Sequence, residues 1–163
     1  MLLDFLFQIW KRLNGRLQWW LIWLFNSKFM VSVAGVIFDD AGKILLQRHR
    51  HWVPDVWGLP GGIVQRDETL EAALAREVLE ESNLRVMDVE MLRVESRYRL
   101  RMEVYFRARL DSEPQTLKIQ KEEVIEARFF CPNELPDNIL PIQKMAIQLA
   151  LTHPPAAARL SQG

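Results

Sequence analysis

Apolar residues at Leu2, Phe5, Leu6, Ile9 and Leu13 recur at helical spacing opposite Asp4, Gln8, Lys11 and Arg12, which predicts an amphipathic opening helix. Asn14-Gly15 breaks it. From Leu17 to Phe25 the run LQWWLIWLF is apolar on nearly every side except Gln18, and such a helix needs a cover. Val31 to Phe38 reads as a strand, Asp39-Asp40-Ala41-Gly42 as a turn, and Lys43 to Gln47 as a second strand, together a predicted hairpin. A loop containing His49, His51, Pro54 and Trp57 leads to Leu59-Pro60-Gly61-Gly62, and Thr69 to Ser82 is the strongest helical segment. Beyond it, Val94, Ser96, Tyr98 and Leu100 alternate with Arg93, Glu95, Arg97 and Arg99. Met102, Val104, Phe106 and Ala108 alternate with Arg101, Glu103, Tyr105 and Arg107. Two half-buried strands fit, joined by a turn that no Gly or Pro marks. Glu126 to Phe130 predicts another strand, and Ile142 to Thr152 a closing helix that stops before Pro154-Pro155. The expected organisation is a Trp-rich helical segment over 1–28, one domain over 29–155 and a frayed tail over 156–163. The fold class is α/β (α+β), a mixed β-sheet with helices packed on it.

Composition narrows the function. The 163 residues, 49% apolar, suffice for one domain with a sizeable core. The 21 basic and 21 acidic residues balance, so no overall field favours a nucleic-acid partner, and any phosphate recognition must be local. Cys131 stands alone, which excludes an internal disulfide and a cysteine zinc cluster and is compatible with a cytoplasmic protein. His49 and His51 lack zinc spacing and read as solvated loop residues. The arginines at 93, 97, 99, 101, 107 and 109 read as an exposed sheet face. Four of six tryptophans (Trp10, Trp19, Trp20, Trp23) fall at the start of the chain. Lys11, Arg12 and Arg16 interrupt that region before it could span a bilayer, and no small-residue cleavage site marks a leader. The covers left open for residues 1–28 are the domain itself, a homodimer partner, and a membrane surface contacted peripherally.

One helix works against its own stability. Glu77, Glu80 and Glu81 fall within an arc of about 100°. Like charges three and four residues apart repel by a few tenths of a kcal/mol per pair, and acids in the last turns oppose the helix dipole. Leu70, Leu74 and Val78 form a packing stripe beside that arc, so the acids border a buried face. Hard oxygen ligands so grouped suit Mg²⁺ or Mn²⁺, whose charge would reverse the repulsion. Upstream, Pro60-Gly61-Gly62 allows a backbone path whose carbonyls can approach a cation and whose amides can approach phosphate.

The register from Gly62 runs through five residues to Glu68, then seven to Arg76-Glu77-Val78, one to Glu80-Glu81, and one to Asn83-Leu84. This resembles the box of the Nudix hydrolase family, with Asn83 where the family has Gly. Six matching polar or glycine positions arise by chance on the order of once in ten million start sites. Asn tolerates the left-handed conformation required just past a helix C-terminus, so the departure at Asn83 should be mild. The resemblance covers roughly residues 31–152 and implies a Nudix-like mixed sheet between helices. It also implies metal-dependent hydrolysis of a phosphoanhydride in a small nucleotide substrate, either a nucleoside diphosphate linked to another moiety or a nucleoside triphosphate. A non-catalytic nucleotide-binding module on the same fold is the other class of function. By the resemblance, Glu77, Glu80, Glu81 and the Gly61 carbonyl would hold the cation, and Glu77 or Glu81 would activate water. Glu68 and Arg76 would support the ligands. Arg48 as a phosphate clamp, Trp57 as a stacking platform, and Glu122 or Glu123 as a further ligand or base are candidates for substrate contact. One ADP-ribose-cleaving branch carries a proline 16 residues after the box, where this chain has Leu100.

Overall fold

The computed structural model describes residues 7–8, 10–98 and 100–153. Its first complete helix, α1 (Gly15–Phe25), is capped by Asn14, whose side chain accepts from the Leu17 amide. The segment before it is helical at residues 7, 8 and 10–12 and bends at Leu13; residues 1–6 and 9 of the expected opening helix and the tail from 154 lie outside the described residues. A sheet then forms from β1 (Met30–Phe38), β2 (Ile44–His49), β3 (Gly61–Ile63), β4 (Val86–Tyr98), β5 (Arg101–Leu110) and β6 (Val124–Phe130), with α2 (Leu70–Ser82) and α3 (Pro141–Thr152) completing the fold. The spatial order is β4-β5-β1-β2-β6, with β3 beside β1. β1 and β5 run parallel and the remaining pairs antiparallel, so the expected mixed sheet between helices is what the chain forms.

The two faces sort by strand periodicity. Val33, Ile37, Leu45, Val104, Phe106 and Ala108 meet Ala73, Leu74 and Val78 of α2. Ala34, Val36, Phe38, Ile44, Leu46 and Tyr105 meet Ala146, Ile147 and Ala150 of α3, with Trp57 and Leu59. Because a helix covers each face, the centre of β5 is buried on both sides at Val104, Tyr105 and Phe106 rather than half-buried.

The expected β1–β2 hairpin holds only at its turn. Asp39 Oδ1 accepts from the amides of Ala41 and Lys43 there, and Phe38 pairs with Ile44. The strands then part, and the 57–63 segment wedges between them. Gly58 pairs with Gln47 on one side, Pro60 accepts from Gly35 on the other, and Ser32, Val33 and Ala34 pair with Ile63, Gly62 and Gly61. This wedge carries the Gly-Gly pair into the sheet.

β4 starts well before the alternation that marked it, at Val86, and three register shifts run through its pairing with β5. The shifts invert the expected face: Val94 is exposed, whereas Glu95 is buried beside Arg93. The hairpin turn that lacked a Gly or Pro is made with Leu100 at φ 55°. The arginine row is only partly an open face. Arg107 lies over the Phe38 ring at 4.8 Å with a buried Nε, and Arg101 donates to Ser32 Oγ at 3.0 Å.

No residue of α1 is buried, so the domain does not cover it. The reason lies in the layers: α2 and α3 already occupy both apolar faces of the sheet.

Candidate active site

α2 begins at Thr69, whose hydroxyl accepts from the Ala72 amide, and ends at Asn83 in the left-handed conformation (φ 58°, ψ 27°) that the Gly-to-Asn departure required. Residues 115–120 cross its C-terminal end, where the amides of Lys118 and Gln120 donate to the carbonyls of Ser82 and Glu81. The apolar stripe turns Glu77, Glu80 and Glu81 toward β3. They line one cleft of about 440 Å³ together with His49, Gly61, Gly62, Arg76 and Glu123.

Glu81 is the fixed member, 2% exposed. Its Oε2 accepts from Gln47 Nε2 at 2.6 Å and the Gly61 amide at 3.1 Å, and its Oε1 lies 2.8 Å from His49 Nε2. Glu77 reaches its place because Gly62 has no side chain: a Cβ there would stand 2.3 to 2.5 Å from the Glu77 carboxyl atoms. Burial raises the Glu77 pKa above its ordinary value, Glu81 and Glu80 add to the rise, and the Arg76 hydrogen bond opposes it. Glu80 is the open member, its side chain 52% exposed.

Arg76 ties the group together. Nη1 donates to Glu77 at 2.8 Å and Glu80 at 3.1 Å, Nη2 donates to the Ile63 carbonyl at 3.1 Å, and Nε and Nη2 grip both oxygens of Glu68. Arg76 holds Glu68 below the usual carboxylate range, and Glu68 in turn raises Arg76. Glu68 also accepts from the Gln65 amide, so the loop before α2 is anchored to the guanidinium. With acids on one face and a single arginine among them, the group suits a hard divalent cation with oxygen ligands. The cradle over Gly62 admits a carboxylate where any other residue would block it.

Strand periodicity explains which candidates arrive here and which do not. On β2, residues 45, 47 and 49 share the α2 face, so Gln47 and His49 reach Glu81. Arg48 turns the other way: its guanidinium is held by Asp55 and by Glu126 at 3.2 Å and sits 5.9 Å from the Trp57 ring. It lines neither the cleft nor the larger cavity described below. Trp57 is packed in the core, edge-on to Phe130 at 4.9 Å, and offers no open ring face. Glu123 lies beside His49 and Glu81, with ligand atoms of the three residues within 4.8 Å of one another, whereas Glu122 is exposed and lines no part of the cleft.

His49 corrects the reading of a solvated loop histidine. β2 runs two residues further than expected, and the imidazole is 9% exposed against Glu81. Its signal was present in the alternation of Leu45, Gln47 and His49, had the strand been carried that far. His51 is exposed. Trp52 was also missed: it stacks on His49 at 4.4 Å and lines a second cavity of about 680 Å³ with Val53, Val56, Arg101, Glu103 and Leu140. His49 therefore faces the carboxylate cleft, and its stacking partner faces the larger cavity.

Fold and site together define an α+β protein with a carboxylate cleft set between a helix and a Gly-Gly strand. A family model described as the NUDIX domain matches residues 28–150, and the chain belongs to that family. It is 26% identical over 133 residues to the human protein named nucleoside diphosphate-linked moiety X motif 6, covering 77% of this chain and 42% of that one. It is 36% identical over 97 residues to an RNA pyrophosphohydrolase of Teredinibacter turnerae, covering 58% and 48%. The chain thus spans less than half the length of either relative. Among solved structures, a NUDIX hydrolase from Nitrosomonas europaea superposes with a TM-score of 0.64 at 28% identity, covering 76% of this chain and 70% of that one.

Proposed function

We propose that this chain is a pyrophosphohydrolase that uses Mg²⁺ or Mn²⁺ to cleave a phosphoanhydride in a nucleoside diphosphate linked to another moiety, such as a nucleotide sugar or an ADP-ribose-like molecule. The observation that carries the reading is the convergence of Glu77, Glu80 and Glu81 on the Gly61–Gly62 strand, with Glu81 buried and held by Gln47, Gly61 and His49. Glu77, Glu80, Glu81 and the Gly61 carbonyl would hold the cation, whose charge would offset that of the phosphates and of the leaving oxygen.

The residues divide the remaining work. Glu81 already accepts from Gln47 and the Gly61 amide on one oxygen and has His49 Nε2 at 2.8 Å from the other, so its role is positional, as ligand and anchor. Glu77 is partly buried and its carboxylate lines the cleft, which suits it to take the proton of an attacking water. Arg76 keeps its charge and holds Glu77 toward the cleft. The non-reacting part of the substrate fits the larger cavity, where Trp52 offers a ring for stacking and Arg101 and Glu103 offer polar contacts. The Trp52–His49 stack would then lie along the path between the two parts of one bound molecule.

The test is a panel of nucleotide sugars, ADP-ribose, dinucleotides and nucleoside triphosphates, assayed with and without Mg²⁺ for wild type and Glu77→Gln. Diphosphate-linked substrates should be cleaved only with the cation, and Glu77→Gln should lose at least about 100-fold in kcat. Turnover confined to triphosphates would overturn the substrate class. Metal-dependent turnover of none would overturn the enzymatic reading in favour of a binding module.

A further inference from the structure

We propose that α1 docks this protein on a bilayer rich in anionic lipid. The helix is an unpartnered apolar element: Trp19, Trp23 and Phe25 are 74%, 60% and 81% exposed, and Trp20, Ile22 and Leu24 are exposed as well. Apolar residues point to every side of it, so a partner that covers one face would leave the others in water. A fluid apolar phase covers all sides at once.

Charge selects among the occupants. No Asp or Glu occurs between Phe5 and Phe38, while Lys11, Arg12 and Arg16 precede the apolar run and Lys28 follows it. The rest of the chain is net negative, so the positive segment is set apart. Two copies of α1, parallel or antiparallel, would bring cations together with no acid to pair them. Anionic headgroups meet the same cations favourably, and tryptophan rings suit the headgroup level.

The helix is too short to cross. Eleven residues make about 16 Å, against an apolar layer of about 30 Å, and no helix among the described residues is long and apolar enough to span a membrane. It would lie parallel to the surface just beneath the headgroups, with acyl chains around its apolar sides and the flanking cations at headgroup level. The helix is already formed for this: Asn14 caps its start, Asn26 Nδ2 donates to Ile22 O at 2.7 Å, and Lys28 Nζ donates to Leu24 O at 3.2 Å beside the Trp23 ring. Where the chain enters the sheet, the Met30 amide donates to Leu100 O at 2.8 Å, which gathers exposed Phe29, Met30 and Leu100 into an apolar rim at the base of α1.

Flotation of the full chain with vesicles tests this, using phosphatidylcholine alone and phosphatidylcholine mixed with phosphatidylglycerol. Wild type should float with the mixed vesicles, with a blue-shifted tryptophan emission, and should be released by salt. Lys11→Gln/Arg12→Gln/Arg16→Gln should bind roughly 100-fold more weakly, and Trp19→Ser/Trp23→Ser/Phe25→Ser should not float. Circular dichroism melts and turnover of a soluble nucleotide should match wild type in both variants, which separates lost docking from misfolding. Three results would overturn the proposal: wild type that stays in solution, equal flotation on neutral vesicles, or a lipid-independent dimer by light scattering that depends on Trp19, Trp23 and Phe25.

Discussion

Gly61 and Gly62 are adjacent in sequence, yet alanine at each should do opposite things. At Gly62 the added Cβ would meet Glu77 Cδ, Oε1 and Oε2 at 2.3, 2.4 and 2.5 Å. These atoms end a flexible side chain, which can withdraw by about 1 Å at a cost of about 1 kcal/mol in rotamer strain. A catalytic group moved by that distance costs on the order of 100-fold in rate. At Gly61 the Cβ would stand 2.1 Å from Val33 O and 2.7 Å from Ala34 Cα, both backbone atoms of β1 paired with this strand, and φ is +153°. Backbone cannot withdraw without opening the β1–β3 pairing, so overpacking and the unfavourable φ together should cost about 2–4 kcal/mol. For a domain of this size that is a fall of roughly 5–15 °C in Tm. Circular dichroism melts and Mg²⁺-dependent kcat on the best panel substrate measure both variants. Gly62→Ala should melt within about 3 °C of wild type and be nearly inactive. A Gly62→Ala enzyme with wild-type kcat, or one less stable than Gly61→Ala, would refute the argument that the Gly62 cradle exists to place Glu77.

Glu81→Ala removes the acceptor for two donors, Gln47 Nε2 and the Gly61 amide, and should destabilise by about 1–3 kcal/mol, whereas Glu80→Ala, on an open side chain, should stay within about 0.5 kcal/mol. Equal melts for the two would remove the anchoring role given to Glu81. Glu123→Ala should weaken Mn²⁺ binding, read by calorimetry, by about tenfold, while Glu122→Ala leaves it unchanged, since only Glu123 stands beside His49 and Glu81. The raised Glu77 pKa has a defined sign: its stabilising contribution to the cation-free fold is fully present below the unfolded value of 4.5 and is lost as pH rises through the raised folded value. The Tm gain on adding Mg²⁺ should therefore be larger at about pH 8 than at about pH 5, and Glu68, shifted the opposite way, enters both the cation-free and the cation-bound melt and largely cancels. A gain that shrinks toward alkaline pH would contradict this assignment.

The residues that form the cleft were legible to different degrees. Glu77, Glu80 and Glu81 could be read from helical spacing alone, because three carboxylates on one face beside Leu74 and Val78 conflict with stability and so need another reason. Gln47 and His49 were not read, because the alternation on β2 is short and its end depends on a partner strand, β6, nearly eighty residues later. Arg48 drew attention as a cation near a strand end, but a one-residue difference places it on the α3 face with Asp55 and Glu126. The same parity argument misled at Glu95. It is turned inward on a strand whose pairing with β5 shifts register on both sides of it, and such shifts follow from cross-strand pairing rather than from local composition.

What the sequence by itself determined is local and periodic: the span of α2 and its Asn83 terminus, the carboxylate arc, the apolar run of α1, and the Gly62-to-Leu84 register. These depend on spacings of a few residues, where backbone geometry alone sets which side chains share a face. Only the tertiary structure decided that β1 and β2 part to admit the Gly-Gly wedge, that Glu81 meets Gln47 and His49, and that both faces of the sheet are covered before α1 can pack on either. Each of those outcomes is a competition among distant segments for the same apolar surface or hydrogen-bonding edge, and no window along the chain contains all the competitors.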